Sequence, residues 1–386
     1  MTTAILSLTS CAQTLDTIVP PHKKETYIEN VIVDPIEAKK PFVFETKNTV
    51  KLSDRPQHIS VGHKSKNMVF DKTFLYVFSS NGIERFSLKD KKWISPIEIK
   101  GDFKEPVLMN KKDNFMAIVG RDGRVVILDL QTEKIIFEKD LGMAISSKPL
   151  IEKNRIYIQT AGDMILCFDF KQNKELWTYK NRYASGYRIG SSPILYKEFF
   201  ITGFTNGDFS LINKDTGLLH WNDSLYGQIN LMGNNLLHVT SQPIVENDIL
   251  YAVGTDNNLS AYKAYDGQVI WSKNISSNRD LLLNGDYIYI LDKYGMLVSV
   301  NKKDGNIRMV TNLNPKLDTP INFTNMVCVN DRIFVSSLHK YSSKGAFIDP
   351  KTGAIERVVD FGEKVHDIGV AGEQLFALTK GNLYVL

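Results

Sequence analysis

Little in this 386-residue sequence points to covalent chemistry. Its three cysteines, Cys11, Cys167 and Cys328, are far apart and form neither a Cys-x-x-Cys redox pair nor a metal knuckle. The seven histidines, at positions 22, 58, 63, 220, 238, 339 and 366, are scattered without metal-ligand spacing. No His-Glu-x-x-His, Gly-x-Ser-x-Gly or P-loop motif occurs, and no EF-hand-like loop. The reading therefore assigns no catalytic residue, no metal ligand and no cofactor. The net charge of +4 is mild and spread along the chain. Without a basic run interleaved with aromatics, nothing argues for nucleic acid. No apolar run reaches the ~18 residues that a membrane-crossing helix needs. No stretch carries a helical pattern as clear as the strand pattern that follows.

What is present is a repeat. Its clearest copies run from Ser147-Lys148-Pro149 to Trp177, from Ser191-Ser192-Pro193 to Trp221, and from Ser241-Gln242-Pro243 to Trp271. Each reads Pro, an apolar strand such as Arg155-Ile-Tyr-Ile-Gln159, a polar turn, a second strand, another turn and an aromatic residue. Weaker copies stay in register on both sides, through Trp93 and Phe137 before them and through Met309, Gly353 and Leu383 after them, giving eight. A period of about 40–45 residues with four short strands predicts a β-propeller. The turns fit: Asn206-Gly207 and Asp122-Gly123 between second and third strands, Asp215-Thr216-Gly217 and Asp266-Gly267 between third and fourth. A short Asx side chain accepts turn N–H groups, and Gly takes φ > 0 at no steric cost. Recurrence at one repeat position assigns Trp177, Trp221 and Trp271 to packing between blades.

The last copy stops one strand short, at Leu386. A ring cannot leave that edge open. A strand from within Phe42 to Val61 is predicted to fill the gap. The expected fold is thus all-β, an eight-bladed propeller of four-stranded antiparallel blades over residues 42–386, its last blade closed by an N-terminal strand.

Residues 1–10 are apolar and uncharged and end in Leu8-Thr9-Ser10 before Cys11. This matches a bacterial lipobox and makes Cys11 the expected lipid attachment site. The basic n-region and longer apolar core of a signal peptide are missing. Residues 1–10 therefore read as a signal-peptide remnant whose start codon lies upstream. Residues 11–41, polar and carrying Pro20, Pro21, Pro35 and Pro41, read as a lipid-anchored flexible tether. Cys167 and Cys328 read as small buried packing residues.

The copy Asn258-Leu-Ser-Ala-Tyr-Lys-Ala-Tyr-Asp-Gly-Gln-Val-Ile-Trp271 resembles the quinoprotein-type (PQQ-like) repeat, usually Gly-x-Leu-x-Ala-Leu-Asp, then Gly, then Trp. With eight copies, a lipobox and a tether, the chain resembles the BamB family of outer-membrane β-barrel assembly lipoproteins over about residues 45–386. That resemblance implies a non-catalytic scaffold on the periplasmic side of the outer membrane. Its implied partners are the periplasmic domains of BamA and, secondarily, unfolded outer-membrane barrel proteins. The family's partner loop carries an Arg before the Ser-x-Pro of the fourth blade. Here that loop reads Ser185-Gly-Tyr-Arg-Ile-Gly-Ser-Ser-Pro193, so Tyr187 and Arg188 become the expected partner-binding residues. Where the family places acidic residues in the next loop, this chain has His238 and Thr240. The alternatives are a PQQ-dependent dehydrogenase, which would call for adjacent cysteines, and a periplasmic propeller that binds another protein or a glycan.

Overall fold

The structure, a computed structural model, describes residues 31–32, 48–51, 68–79, 82–99, 108–110, 114–120, 122–181, 190–225, 239, 241–255, 258–292, 294–314, 323, 326–337, 342–379 and 382–386. Cys11, Tyr187, Arg188, His238 and Thr240 lie outside them.

Eight antiparallel sheets follow one another along the chain. Blade one spans Met68–Ile97, blade two Leu108–Asp140, blade three Leu150–Lys180 and blade four Ile194–Ser224. Blade five spans Ile244–Lys273, blade six Leu282–Asn312 and blade seven Val327–Asp360. In each, four consecutive strands are neighbours in order, the first innermost and the fourth outermost. Blade eight has only three consecutive strands, between Val365 and Val385. Its fourth is Asn48–Lys51, paired antiparallel with Asn382–Val385 through Asn48↔Val385, Thr49↔Tyr384, Val50↔Leu383 and Lys51↔Asn382. The predicted closing strand is therefore present, within the predicted window.

The core is not one central mass. It is divided into eight apolar clusters, one in each seam between consecutive blades. Ile127 and Phe137 of blade two meet Ile156 and Leu166 of blade three. Leu211 of blade four meets Leu250 and Tyr262 of blade five. The last cluster joins Leu75 and Val77 of blade one to Phe376, Leu378 and Leu383 of blade eight. Strands alternate their side chains between two faces. Each inner strand therefore needs apolar residues on both faces, one for each neighbouring seam, and Arg155–Gln159 and Tyr287–Leu291 have them. Cys167 is buried in the seam between blades three and four, and burial pushes its thiol up to about 12. Cys328 is half-buried in blade seven and is likewise a free thiol.

The tryptophans stand in these seams, as their recurrence implies. Trp177, Trp221 and Trp271 each follow a one-residue bulge in an outer strand. Each indole N–H donates to a carbonyl in the next blade's outer turn: Trp177 to Lys214 at 2.9 Å, Trp221 to Ala264 at 3.3 Å, Trp271 to Lys302 at 2.9 Å. In blade six the corresponding residue is Met309. The bulge residue before it, Arg308, is 1 % exposed and donates to the carbonyls of Pro350 and Lys351 in the turn of blade seven.

One strand was not anticipated. Val31–Ile32 pairs antiparallel with the outer strand of blade six through Val31↔Val310 and Ile32↔Met309, which makes that blade five-stranded.

Candidate partner interface

Loops that carry recognition are useful only when a rigid scaffold fixes their ends. The chain leaves blade three after Lys180 and re-enters at Gly190; it leaves blade four after Ser224 and re-enters near Val239. The described ends of both excursions follow a fourth strand and precede a first strand, so these ends lie on one face of the ring and flank blade four. Tyr187 and Arg188 belong to the first excursion, His238 to the second.

The stems of both are tied down. Asn181 donates its backbone N–H to Asp163 at 3.1 Å and its side-chain amide to Asn206 at 3.3 Å. Gly190 donates to the Ser146 carbonyl at 3.1 Å. A methyl group on Gly190 would lie 2.9 Å from Ser146 Oγ and 3.3 Å from the Gln159 amide nitrogen, so a larger residue there would have to displace the Ser146 hydroxyl. Leu225 and Val239, both buried, bond to the Gly207 and Phe204 carbonyls of blade four's own turn. Val239 caps Gly203, where an added Cβ would come within 2.3 Å of its Cγ1.

Under the stems runs a buried polar seam. Gln159 is fully buried; its amide donates to the Gly203 carbonyl at 3.0 Å and accepts from Thr202 Oγ1 at 2.7 Å. Asp163, also fully buried, accepts from the Thr205 backbone N–H at 3.2 Å and from its hydroxyl. The serines of the Ser-x-Pro motif continue the seam: Ser191 donates to the Ser241 carbonyl, and Ser241 to the Arg279 carbonyl, each at 2.7 Å. Buried polar groups that are all satisfied rigidify a structure. Blades three to six are thus joined on the loop face by hydrogen bonds as well as by apolar packing.

Charge on blade four between the two excursions is acidic. Burial holds the Asp208 carboxyl above its ordinary value, opposed by hydrogen bonds from Asn206 and Ser224, with Asp223 adding to the rise. Among the described residues, no group of three or more His, Cys, Asp or Glu side chains is placed to hold a metal ion.

The sequence located the two loops by their Ser-x-Pro ends. It did not single out Gln159 or Asp163, which look in the sequence like ordinary strand-end and turn residues. The only signal is for Gln159, a polar residue at the end of an otherwise apolar inner strand.

The comparisons with known proteins agree with this architecture. The family model for outer membrane protein assembly factor BamB matches residues 83–311. BamB of Shewanella oneidensis is 25% identical over 251 residues, which is 63% of this chain and 60% of that protein. BamB of Yersinia pestis is 24% identical over 48% of each chain. The matched part is thus between about half and three-fifths of these relatives' length. Among solved structures, the crystal structure of BamB from Moraxella catarrhalis has a TM-score of 0.72 at 16% identity, covering 89% of this chain and 99% of that one. A europium-containing methanol dehydrogenase reaches 0.66 at 10% identity, covering 88% and 85%. At such identities the likeness is one of fold alone, shared by an assembly factor and an enzyme. The match over residues 83–311 goes beyond fold: the chain belongs to the BamB family of outer membrane protein assembly factors.

Proposed function

We propose that the chain is a non-catalytic scaffold of outer-membrane β-barrel assembly, held on the periplasmic side by a lipid on Cys11. On this reading it docks on the periplasmic domains of BamA through the loops that flank blade four. The observation that carries the reading is the family match, which runs from the third strand of blade one into the last strand of blade six and so includes both loop stems. The stems give it a physical basis. A loop whose ends are fixed by Asn181, Gly190, Leu225 and Val239 loses less entropy on binding than a free one. Arg188 suits such a surface because its guanidinium offers five donors on an apolar stem. The dehydrogenase reading has less behind it: the three cysteines include no adjacent pair.

The test is recovery of BamA from detergent-solubilised outer membrane on the full chain and on Arg188→Glu. The substitution is expected to weaken binding by about 1–2 kcal/mol, through lost charge-assisted hydrogen bonds and new repulsion. The melting temperature should not change. Undiminished recovery on a folded Arg188→Glu protein would remove Arg188 from the interface. No recovery on the wild-type chain would remove the function.

A further inference from the structure

The outer strand of a propeller blade is an open edge, and proteins defend such edges with charged side chains. Blade two's carries Lys134, Glu138 and Lys139; blade three's carries Lys174, Glu175 and Lys180. Most positions of both strands face water, Phe137 and Trp177 being the buried ones. Blade six departs from this. Its outer strand, Ile307–Asn312, has one charged residue, as do the outer strands of blades one, four and five, but that residue, Arg308, is buried, the first of four consecutive buried positions that end at Thr311. The Arg308 guanidinium is turned inward, into the seam with blade seven, 4.3 Å from the centre of the Tyr287 ring. Val310 is 4% exposed and belongs to the seam with blade five, whereas the corresponding Thr178, Asn222 and Ser272 of blades three to five are polar and exposed. An edge without outward charge is a template for another strand, and here a strand occupies it: Val31–Ile32, in antiparallel register.

Among the described residues, two residue pairs hold that occupant. It also belongs to a stretch, Tyr27-Ile-Glu-Asn-Val-Ile-Val33, that is rich in β-branched residues and ends before Pro35. Strand addition works through main-chain hydrogen bonds and is tolerant of side chains, so what fits in cis also fits in trans.

We infer that the outer edge of blade six is a strand-acceptor site gated by the chain's own residues 31–32. When that segment leaves, the edge takes an extended, β-branched apolar segment of another polypeptide. The site is separate from the loops that flank blade four, so the two readings stand or fall independently.

The probe is a fluorescein-labelled peptide of the sequence of residues 27–36, added to the full chain and to Ile32→Pro, which cannot donate its N–H to the ladder. If the segment fills the edge for more than about nine-tenths of the time, its release raises the apparent affinity for the peptide by about tenfold or more. Hydrogen exchange locates the event. Amides of residues 307–312 should be slow in the wild type, faster in Ile32→Pro, and slow again with peptide. The same peptide with proline in place of Ile32 should not bind. Should Ile32→Pro fail to fold, Val31→Asp serves as the second release variant. Equal peptide binding by wild type and variants overturns the inference. So does protection at any other blade, and so does a concentration-dependent dimer of the released variant without peptide capture.

Discussion

Trp177 lies across Gly217 of the next blade: a methyl group on Gly217 would stand 2.7 Å from Cδ2 of the indole. The same contact recurs between Trp221 and Gly267 and between Trp271 and Gly305. Each glycine has φ near +70°, where a β-carbon is strained in any case. One turn residue thus serves two purposes, closing its own hairpin and leaving room for the preceding blade's ring.

Gly217→Ala is therefore expected to destabilise the protein twice over, through backbone strain and through displacement of Trp177. A loss of about 1–3 kcal/mol follows from overpacking, seen as a lower melting temperature and a changed tryptophan fluorescence maximum. Gly285→Ala is the control. Its φ is also positive, but nothing lies within 4 Å of an added Cβ, so strain acts there alone.

Arg308 does for the seam between blades six and seven what an indole N–H does for the three seams before it. Arg308→Met keeps most of the apolar stem and strands the Pro350 and Lys351 carbonyls. Tyr289, whose hydroxyl also donates to the Pro350 carbonyl at 2.9 Å, keeps only part of the compensation. Unsatisfied buried acceptors cost about 1–3 kcal/mol, so thermal melting should show a clear drop. An unchanged melting temperature would mean that the Tyr289 hydroxyl suffices for the Pro350 carbonyl and that the Lys351 carbonyl does not depend on the guanidinium.

Ring closure makes a prediction about truncation. Removing residues 1–41 takes away Val31–Ile32, whereas removing residues 1–61 also takes away Asn48–Lys51, the strand that closes the ring. The longer deletion should melt well below the shorter one. Coincident melting curves would show that blade eight stands without its fourth strand.

Asp208 sets a pH dependence. Because burial raises its carboxyl in the folded protein, the native state holds that proton to higher pH than the unfolded chain does. Its contribution to stability is fully present below the ordinary aspartate value, about 4, and is lost as pH rises through the raised value. Asp208→Asn removes this loss. The melting temperature of the variant relative to wild type should climb from pH 4 towards neutrality, and a constant difference would contradict the assignment.

The eight blades were legible because three signals recur together: Pro before the inner strands, Asx-Gly at the turns and an aromatic after the bulge. The closing strand was legible from a deficit, a last repeat that ends at Leu386 with its third strand. The extra strand on blade six was not. The prolines around Val31–Ile32 made its stretch read as a tether, a few β-branched residues there show no repeat to read, and Ile307–Asn312 differs from other outer strands chiefly in the inward turn of its one charge. Arg308 was equally hidden, since an arginine on an outer strand reads as a solvated charge until its turn toward Pro350 is seen. Gln159 and Asp163 escaped notice because their partners, Gly203 and Thr205, lie a whole repeat away in sequence.

The pairing of Asn48–Lys51 with Asn382–Val385 also orders events in time. The first propeller strand to leave the ribosome or a translocon has no partner until the last one arrives. Every seam from blade one to blade seven can form while the chain is still emerging, but the seam between blades eight and one cannot. Closing so long a loop is slow compared with local pairing. Until Val385 is delivered, Asn48–Lys51 is an unpaired strand in an otherwise folding protein, and a chain cut short near its end never joins its two ends. The ring therefore reports its own completeness: an unclosed blade eight marks an unfinished chain, and offers proteases a place to act on it.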